Sequence, residues 1–313
     1  MEFPLWAWIF FHLIVAVMLA LDLGVFHRNA HEVRLKEAMI WSVVWIAVAL
    51  AFNALILLAW GHEPALHFLT AYLVEKSLSA DNLFVFAVIF AYFGVPPAYQ
   101  HRVLFWGILG AVLMRAAFIF AGVQLLKAFH PAVYLFGAFL VYTGIRLALR
   151  SEEEEVRPER NPVLRFARRF LPITPTFHGQ RFFIREGRRW MATPLLLTLL
   201  VVESTDLMFA VDSVPAVLAI TPELFIAYTS NIFAILGLRA LYFVLSGLIQ
   251  RLRYLHYGLS VILTYIGLKM LLSDYVHIPP ALSLAIVLLT LLVSGLASWV
   301  VERREKVHSL SHR

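Results

Sequence analysis

The chain has 313 residues, 61% of them hydrophobic and 15% charged, with a mean hydropathy of +0.79 and a formal net charge of +6. Soluble domains carry about a quarter charged residues, so the composition excludes an ordinary soluble domain and points to an all-α, polytopic membrane protein. The absence of cysteine excludes disulfides, thiolate nucleophiles and soft-metal thiolate sites. Positive charge in such a chain reports topology, and no nucleic-acid partner is expected.

A helix needs about 20 apolar residues to cross the hydrocarbon core. In chain order the first predicted span is 5–26. It has no basic residue before it and holds Asp22, so it reads as a retained helix rather than a signal peptide. The second is 39–60. GHEPALH (Gly61 to His67) follows, with histidines one residue too far apart for a zinc-protease helix and Pro64 between them; it is expected to be an exterior loop. Span three, 66–93, carries Glu75, Lys76, Asp81 and Asn82 inside VEKSLSADNLFVFAVIF. Span four, 102–125, holds Arg115, and span five is 131–149. The segment 150–191 is the only sizeable soluble piece, expected to be a partly helical loop at an anionic membrane surface. Span six, 192–219, carries Glu203, Asp206 and Asp212 inside VVESTDLMFAVDSVPAVLA. Span seven, 223–248, holds Arg239; spans eight and nine are 255–273 and 279–301. Spans three and six are long and charged, which predicts tilt or a local break.

Counting Arg102 at the edge of span four, twenty Lys and Arg residues fall in alternate connecting segments and the C-terminal tail, and Lys127 stands alone on the other side. The positive-inside rule then puts the N-terminus outside and the C-terminus in the cytoplasm, which an odd number of spans satisfies. The whole chain reads as one transmembrane domain with an internal repeat: repeat one at 66–149, the cytoplasmic loop at 150–191, repeat two at 192–273 and a final helix at 279–301. Asp81 matches Asp206, Arg115 matches Arg239, and YTGIRLAL matches YIGLKMLL, at offsets of 123–125 residues. Each unit has three spans (3–5 and 6–8), so the copies are inverted relative to each other, a plan that secondary transporters use with sites at the bilayer midplane.

Ionisable groups inside spans are costly and face the bundle interior, paired or hydrated. Salt bridges from Arg115 and Arg239 to Asp81 and Asp206 would account for some of the acids. Glu203 and Asp206 are i,i+3 and share a helix face. Asp212, six residues beyond Asp206, would be about 9 Å further along a regular helix. Pro215 removes a backbone bond, so an unwound turn is expected to let Asp212 and main-chain oxygens converge. Ser79, Asn82, Thr205 and Ser213 add neutral oxygens. Carboxylates with neutral oxygens and no thiolate suit a hard divalent cation such as Mn²⁺, Ca²⁺ or Mg²⁺, and paired acids permit proton coupling. The expected metal ligands are Glu75, Asp81, Asn82, Glu203, Asp206 and Asp212. Asp22, Lys76, Arg115 and Arg239 are expected as charge partners, with Lys76, beside Glu75, standing in for the cation. The recurrent glycines read as close helix packing. No phosphate loop or protease motif is present, and no enzyme activity is expected.

The stretches EKSLSADNLFVF, VESTDLMFAVDSVPA and SNIFAILGLRALYF resemble the TerC family of integral membrane proteins. That resemblance implies manganese efflux or metal-ion homeostasis, alongside tellurium resistance, and Glu75, Asp81, Glu203, Asp206 and Asp212 as the functional acids. The expected activity is export of a divalent cation, Mn²⁺ foremost, by alternating access with proton exchange. Ca²⁺/H⁺ exchange and a membrane-protein assembly role are the alternatives. No permanently bound cofactor is expected; the partners are the ion, protons, the lipid bilayer and membrane-protein or like subunits, in the bacterial cytoplasmic membrane.

Overall fold

The computed structural model describes residues 3–26, 35–129, 131–149, 158–187, 189–245, 254–276 and 278–311. The side chains of Asp22 and Asp81 lie outside the described residues, although both positions belong to helices. The elements are α1 (Leu5–Phe26), α2 (Leu35–Trp60), α3 (His62–Phe93), α4 (Pro97–Ala128), α5 (Ala132–Leu149), α6 (Pro162–Phe170), β1 (Phe183–Glu186), β2 (Arg189–Ala192), α7 (Pro194–Ile220), α8 (Leu224–Leu236), α9 (Leu238–Leu245), α10 (Leu255–Leu271) and α11 (Pro280–Ser311). Each predicted span contains a helix, and residues 246–248 of the seventh lie outside the described residues.

By length and composition, six helical stretches among the described residues could cross a membrane: Leu35–Trp60, Pro97–Ala128, Ala132–Leu149, Pro194–Ile220, Leu224–Val244 and Pro280–Val301. Leu5–Leu21 and Leu255–Leu271 are shorter apolar helices. The ninth, α3, is 32 residues long but carries Glu75, Lys76 and Asp81 in its middle. The bundle is built with its polar groups inside. Glu75, Arg115, Asp206 and Asn231 are buried, while Leu50, Leu58, Leu289 and Leu296 face outward. Hydrocarbon tolerates exposed leucine, but a polar group facing it would lack a hydrogen-bond partner.

Local chemistry sets the boundaries. Gly94 ends α3 in the left-handed conformation (φ 63°), its N–H donating to Ala91, and Pro97 opens α4; a left-handed glycine after the last turn and proline in the first turn are the expected stops and starts. GHEPALH is not a loop. Gly61 (φ 91°) precedes α3 and His62 to His67 form its first turns, because proline in the first turn sacrifices an N–H that has no helical partner anyway.

Helices α3 and α4 each pack on both α7 and α8, and α5 packs along α10. The last contact is the closest. A Cβ on Gly267 would stand 2.7 Å from the Gly137 carbonyl oxygen, and one on Gly144 would stand 2.9 Å from that of Ser260. The Ser260 hydroxyl donates to the Gly144 carbonyl at 2.6 Å. Small residues at these two levels let the antiparallel backbones touch.

Two departures concern helix breaks. Helix α7 runs unbroken through Pro215, so no unwound turn forms there. The break falls instead in the seventh span, at Gly237 between α8 and α9. Residues 158–192 are more ordered than the expected loop. Asn161 caps α6, its side-chain oxygen accepting from Val163 and Leu164, and its amide donates to Ser204 of α7 at 2.8 Å. Leu164 and Ala167 turn into the bundle core. β1 and β2 then form an antiparallel hairpin, unforeseen in the sequence because FIRE and RWMA do not alternate apolar with polar residues; Gly187 (φ 60°) lies between the strands.

Candidate functional site

Four helices meet at one fully buried polar cluster. The Arg115 side chain of α4 lies between acids of two other helices. Its Nη1 donates to Glu75 Oε1 of α3 and to Ser213 Oγ of α7 at 3.0 Å. Its Nη2 and Nε donate to the two oxygens of Asp206 of α7 at 3.3 and 3.5 Å. Glu75 also accepts from Ser79 Oγ, one turn away, at 3.0 Å and from Asn231 Nδ2 of α8 at 2.9 Å. Glu75, Ser79, Arg115 and Asn231 are fully inaccessible. Arginine suits this place because its planar, permanently charged fork can serve two carboxylates at once.

One oxygen of the cluster is unused. A carboxylate only accepts, so the Asn231 amide must turn its nitrogen to Glu75, which leaves its carbonyl oxygen pointing elsewhere. That oxygen is buried with no hydrogen-bond partner among the described residues. An orphaned buried acceptor costs about 1–3 kcal/mol and is a place where a cation or water would be held.

Glu203, one turn before Asp206, is half-buried against α4 and within electrostatic reach of Asp206. It fills the space left by the missing side chain of Gly110, where a Cβ would lie 2.1 Å from Glu203 Oε1. Gly110→Ala should therefore push the carboxylate aside without breaking the fold, because the far end of a flexible side chain can yield. The expected cost in stability is about 1 kcal/mol. A thermal melt reads that cost, and a loss as large as that of a clash with backbone would show that Glu203 does not yield.

The other candidates divide. Asp206 and Glu75 come together. Asp212 is half-buried on α7 and within reach of Arg146 of α5 rather than of Arg115, as the unbroken helix requires. Asn82 is buried on α3. Thr205 spends its hydroxyl on the Val201 carbonyl of its own helix. Arg239, matched to Arg115 by sequence, is likewise buried, on α9. Lys76 does not sit between the acids. Its ammonium donates to the Ala234 carbonyl at 3.2 Å, at the α8–α9 break, and occupies the space a Cβ on Gly237 would need. Asn231 was not singled out by spacing, although SNIFAILGLRALYF contains it. Among the described residues no three His, Asp or Glu side chains form a metal cluster; Arg115 stands between Glu75 and Asp206.

The chain is 51% identical to an uncharacterised membrane protein of Myxococcus xanthus, over 95% of this chain and 92% of that protein. It is 46% identical to the Alx protein of Salmonella typhi, named as a candidate membrane-bound redox modulator, over 96% of both chains. A membrane protein of Rickettsia bellii is 37% identical over 95% of this chain and 98% of its own. No solved structure matches. Residues 60–306, which include every helix of the cluster, match the integral membrane protein TerC family, and the chain belongs to that family.

Proposed function

We propose that this protein is a secondary transporter exporting divalent metal cations, Mn²⁺ foremost, through the buried cluster of Glu75, Asp206 and Asn231. The observation that carries the reading is convergence: two acids from different helices face one point in a fully buried setting, beside an amide oxygen with no partner among the described residues. Oxygen donors of this kind suit Mn²⁺ or Ca²⁺. Asp81 and Glu203 are proposed to complete the path.

Arg115 gives the empty carrier a resting state. Two buried carboxylates without a counter-ion would be prohibitively costly. A guanidinium neutralises one of the two charges while no ion is bound, and a divalent cation competes for the same oxygens. Ion binding then requires Arg115 to turn away, and ion release lets it return. Proton exchange at the acids is the proposed drive.

The inverted repeat belongs to this proposal, and the helix contacts support it. Exchanging α3, α4 and α5 for α7, α8–α9 and α10 turns the α3–α8 contact into α7–α4 and leaves α3–α7 and α5–α10 unchanged. With α6 set aside and α8–α9 taken as one, the nine helical stretches are read as nine crossings of a bacterial cytoplasmic membrane, with the N-terminus outside by the distribution of Lys and Arg. The relatives' name invites a redox reading. This chain has no cysteine, so a redox effect would not run through a thiol of its own but would fit a redox-active cargo such as manganese.

Binding is tested by titrating purified protein into Mn²⁺ and following the sharp electron paramagnetic resonance of the free aquo ion. Wild type is expected to remove that signal saturably, and Glu75→Gln to leave it largely intact while melting as a folded protein. Equal removal by both proteins would take Glu75 out of the site.

A further inference from the structure

The segment 158–192 makes no contribution to the cluster, yet it is folded and docked. We propose that α6 and the β1–β2 hairpin form a surface that seats on anionic phospholipid headgroups beside the bundle. The inner face of α6 is accounted for by Leu164 and Ala167 in the core and by the Asn161–Ser204 tether. The outer face carries Arg165, Phe166, Arg168, Arg169 and Phe170, all exposed. Phe166 and Phe170 pack with ring centroids 4.4 Å apart and planes tilted by 39°, and the Arg169 guanidinium lies over the Phe170 ring at 5.8 Å. Phe166 is 64% and Phe170 62% exposed. The hairpin repeats the pattern. Phe183, Arg185 and Trp190 share one face, since Arg185 pairs across the strands with Trp190, and Trp190 is 65% exposed.

Charge complementarity identifies the occupant. Residues 158–192 hold eight arginines against two glutamates. Basic residues near a surface gain about 1 kcal/mol each from anionic lipid. Exposed aromatic rings between arginines are the composition of an interfacial helix, with rings at the acyl boundary and guanidiniums among phosphates. Position agrees. Ala192 donates to Pro172 and accepts from Thr174, which ties the chain just after α6 to the end of the hairpin, two residues before α7 begins. The unit is thus held at the mouth of a long apolar helix, where headgroups lie. A soluble acidic protein would match the arginines but would leave no reason for this proximity to a span.

The chain has no cysteine, so a single nitroxide at Phe170→Cys reports on this face alone. The full-length protein is reconstituted in phosphatidylcholine vesicles with and without phosphatidylglycerol. Collision with oxygen and with a water-soluble nickel chelate is then measured. The expected result is loss of nickel collisions and gain of oxygen collisions when phosphatidylglycerol is present, both reversed by Arg165→Gln, Arg168→Gln and Arg169→Gln together. A label open to nickel in both membranes overturns the proposal and leaves a soluble partner as the reading. Protection that is equal in both membranes and indifferent to the arginines also overturns it, since the face would then contact lipid without recognising headgroups.

Discussion

Arg115→Met is expected to destabilise the protein by about 3–5 kcal/mol, the cost of removing one partner from a buried ion pair. The substitution keeps the bulk of the side chain but removes every donor that Glu75 Oε1 and Asp206 receive from α4. Two carboxylates would remain among apolar neighbours, held by Ser79 and Asn231 on one side only. The measurement is thermal or denaturant unfolding of the detergent-solubilised protein. The triple change Arg115→Met with Glu75→Gln and Asp206→Asn should recover much of the loss, because no charge is then left unpaired. Non-additivity of this size is the signature of residues that act as a unit. A single change that costs nothing would mean that the three groups do not share one buried site.

The second large effect lies between α5 and α10. Gly267→Val should cost about 3 kcal/mol, at the upper end for overpacking. The obstacles are backbone atoms: the Gly137 carbonyl at 2.7 Å and the Val141 nitrogen at 2.8 Å from the first added carbon. Neither can move without parting the helices. Gly110→Ala meets a still closer atom, but one at the end of a flexible glutamate. The contrast between the two glycines is a test of which neighbours are rigid, and melting curves of the two variants decide it. A Gly267→Val melt no lower than that of Gly110→Ala would show that α5 and α10 do not touch.

Much of this was legible in the sequence, for identifiable reasons. Nine apolar runs of span length predicted nine helical stretches, since hydrophobic length is a local property. The acids stood out because a charge inside such a run has no cheap explanation. Pairing was harder. Arg115 reaches Glu75, 40 residues away, and Asp206, 91 residues away, and nothing local distinguishes it from Lys76 as the counter-ion. The helix break was misplaced for the same reason. Pro215 carries the strongest local signal for one, yet α7 continues through it. The break at Gly237 accompanies a contact with Lys76, 158 residues before Ala234, which takes the Ala234 carbonyl. Asn231 escaped because a single amide in an apolar run carries no periodic or charge signal. The hairpin's short strands fell within a segment whose arginines dominated its reading.

Ion flux is the most direct readout of the proposed transport. Purified protein in liposomes, loaded or surrounded with Mn²⁺, Ca²⁺ or Mg²⁺ and with or without a pH gradient, reports transport through a sealed membrane. Wild type is predicted to move Mn²⁺ and to respond to the gradient, and Asp206→Asn, still folded, to move none. Folded wild-type protein that carries no divalent cation under either condition would contradict the account and leave Glu75, Arg115 and Asp206 as a structural tie in a membrane assembly protein.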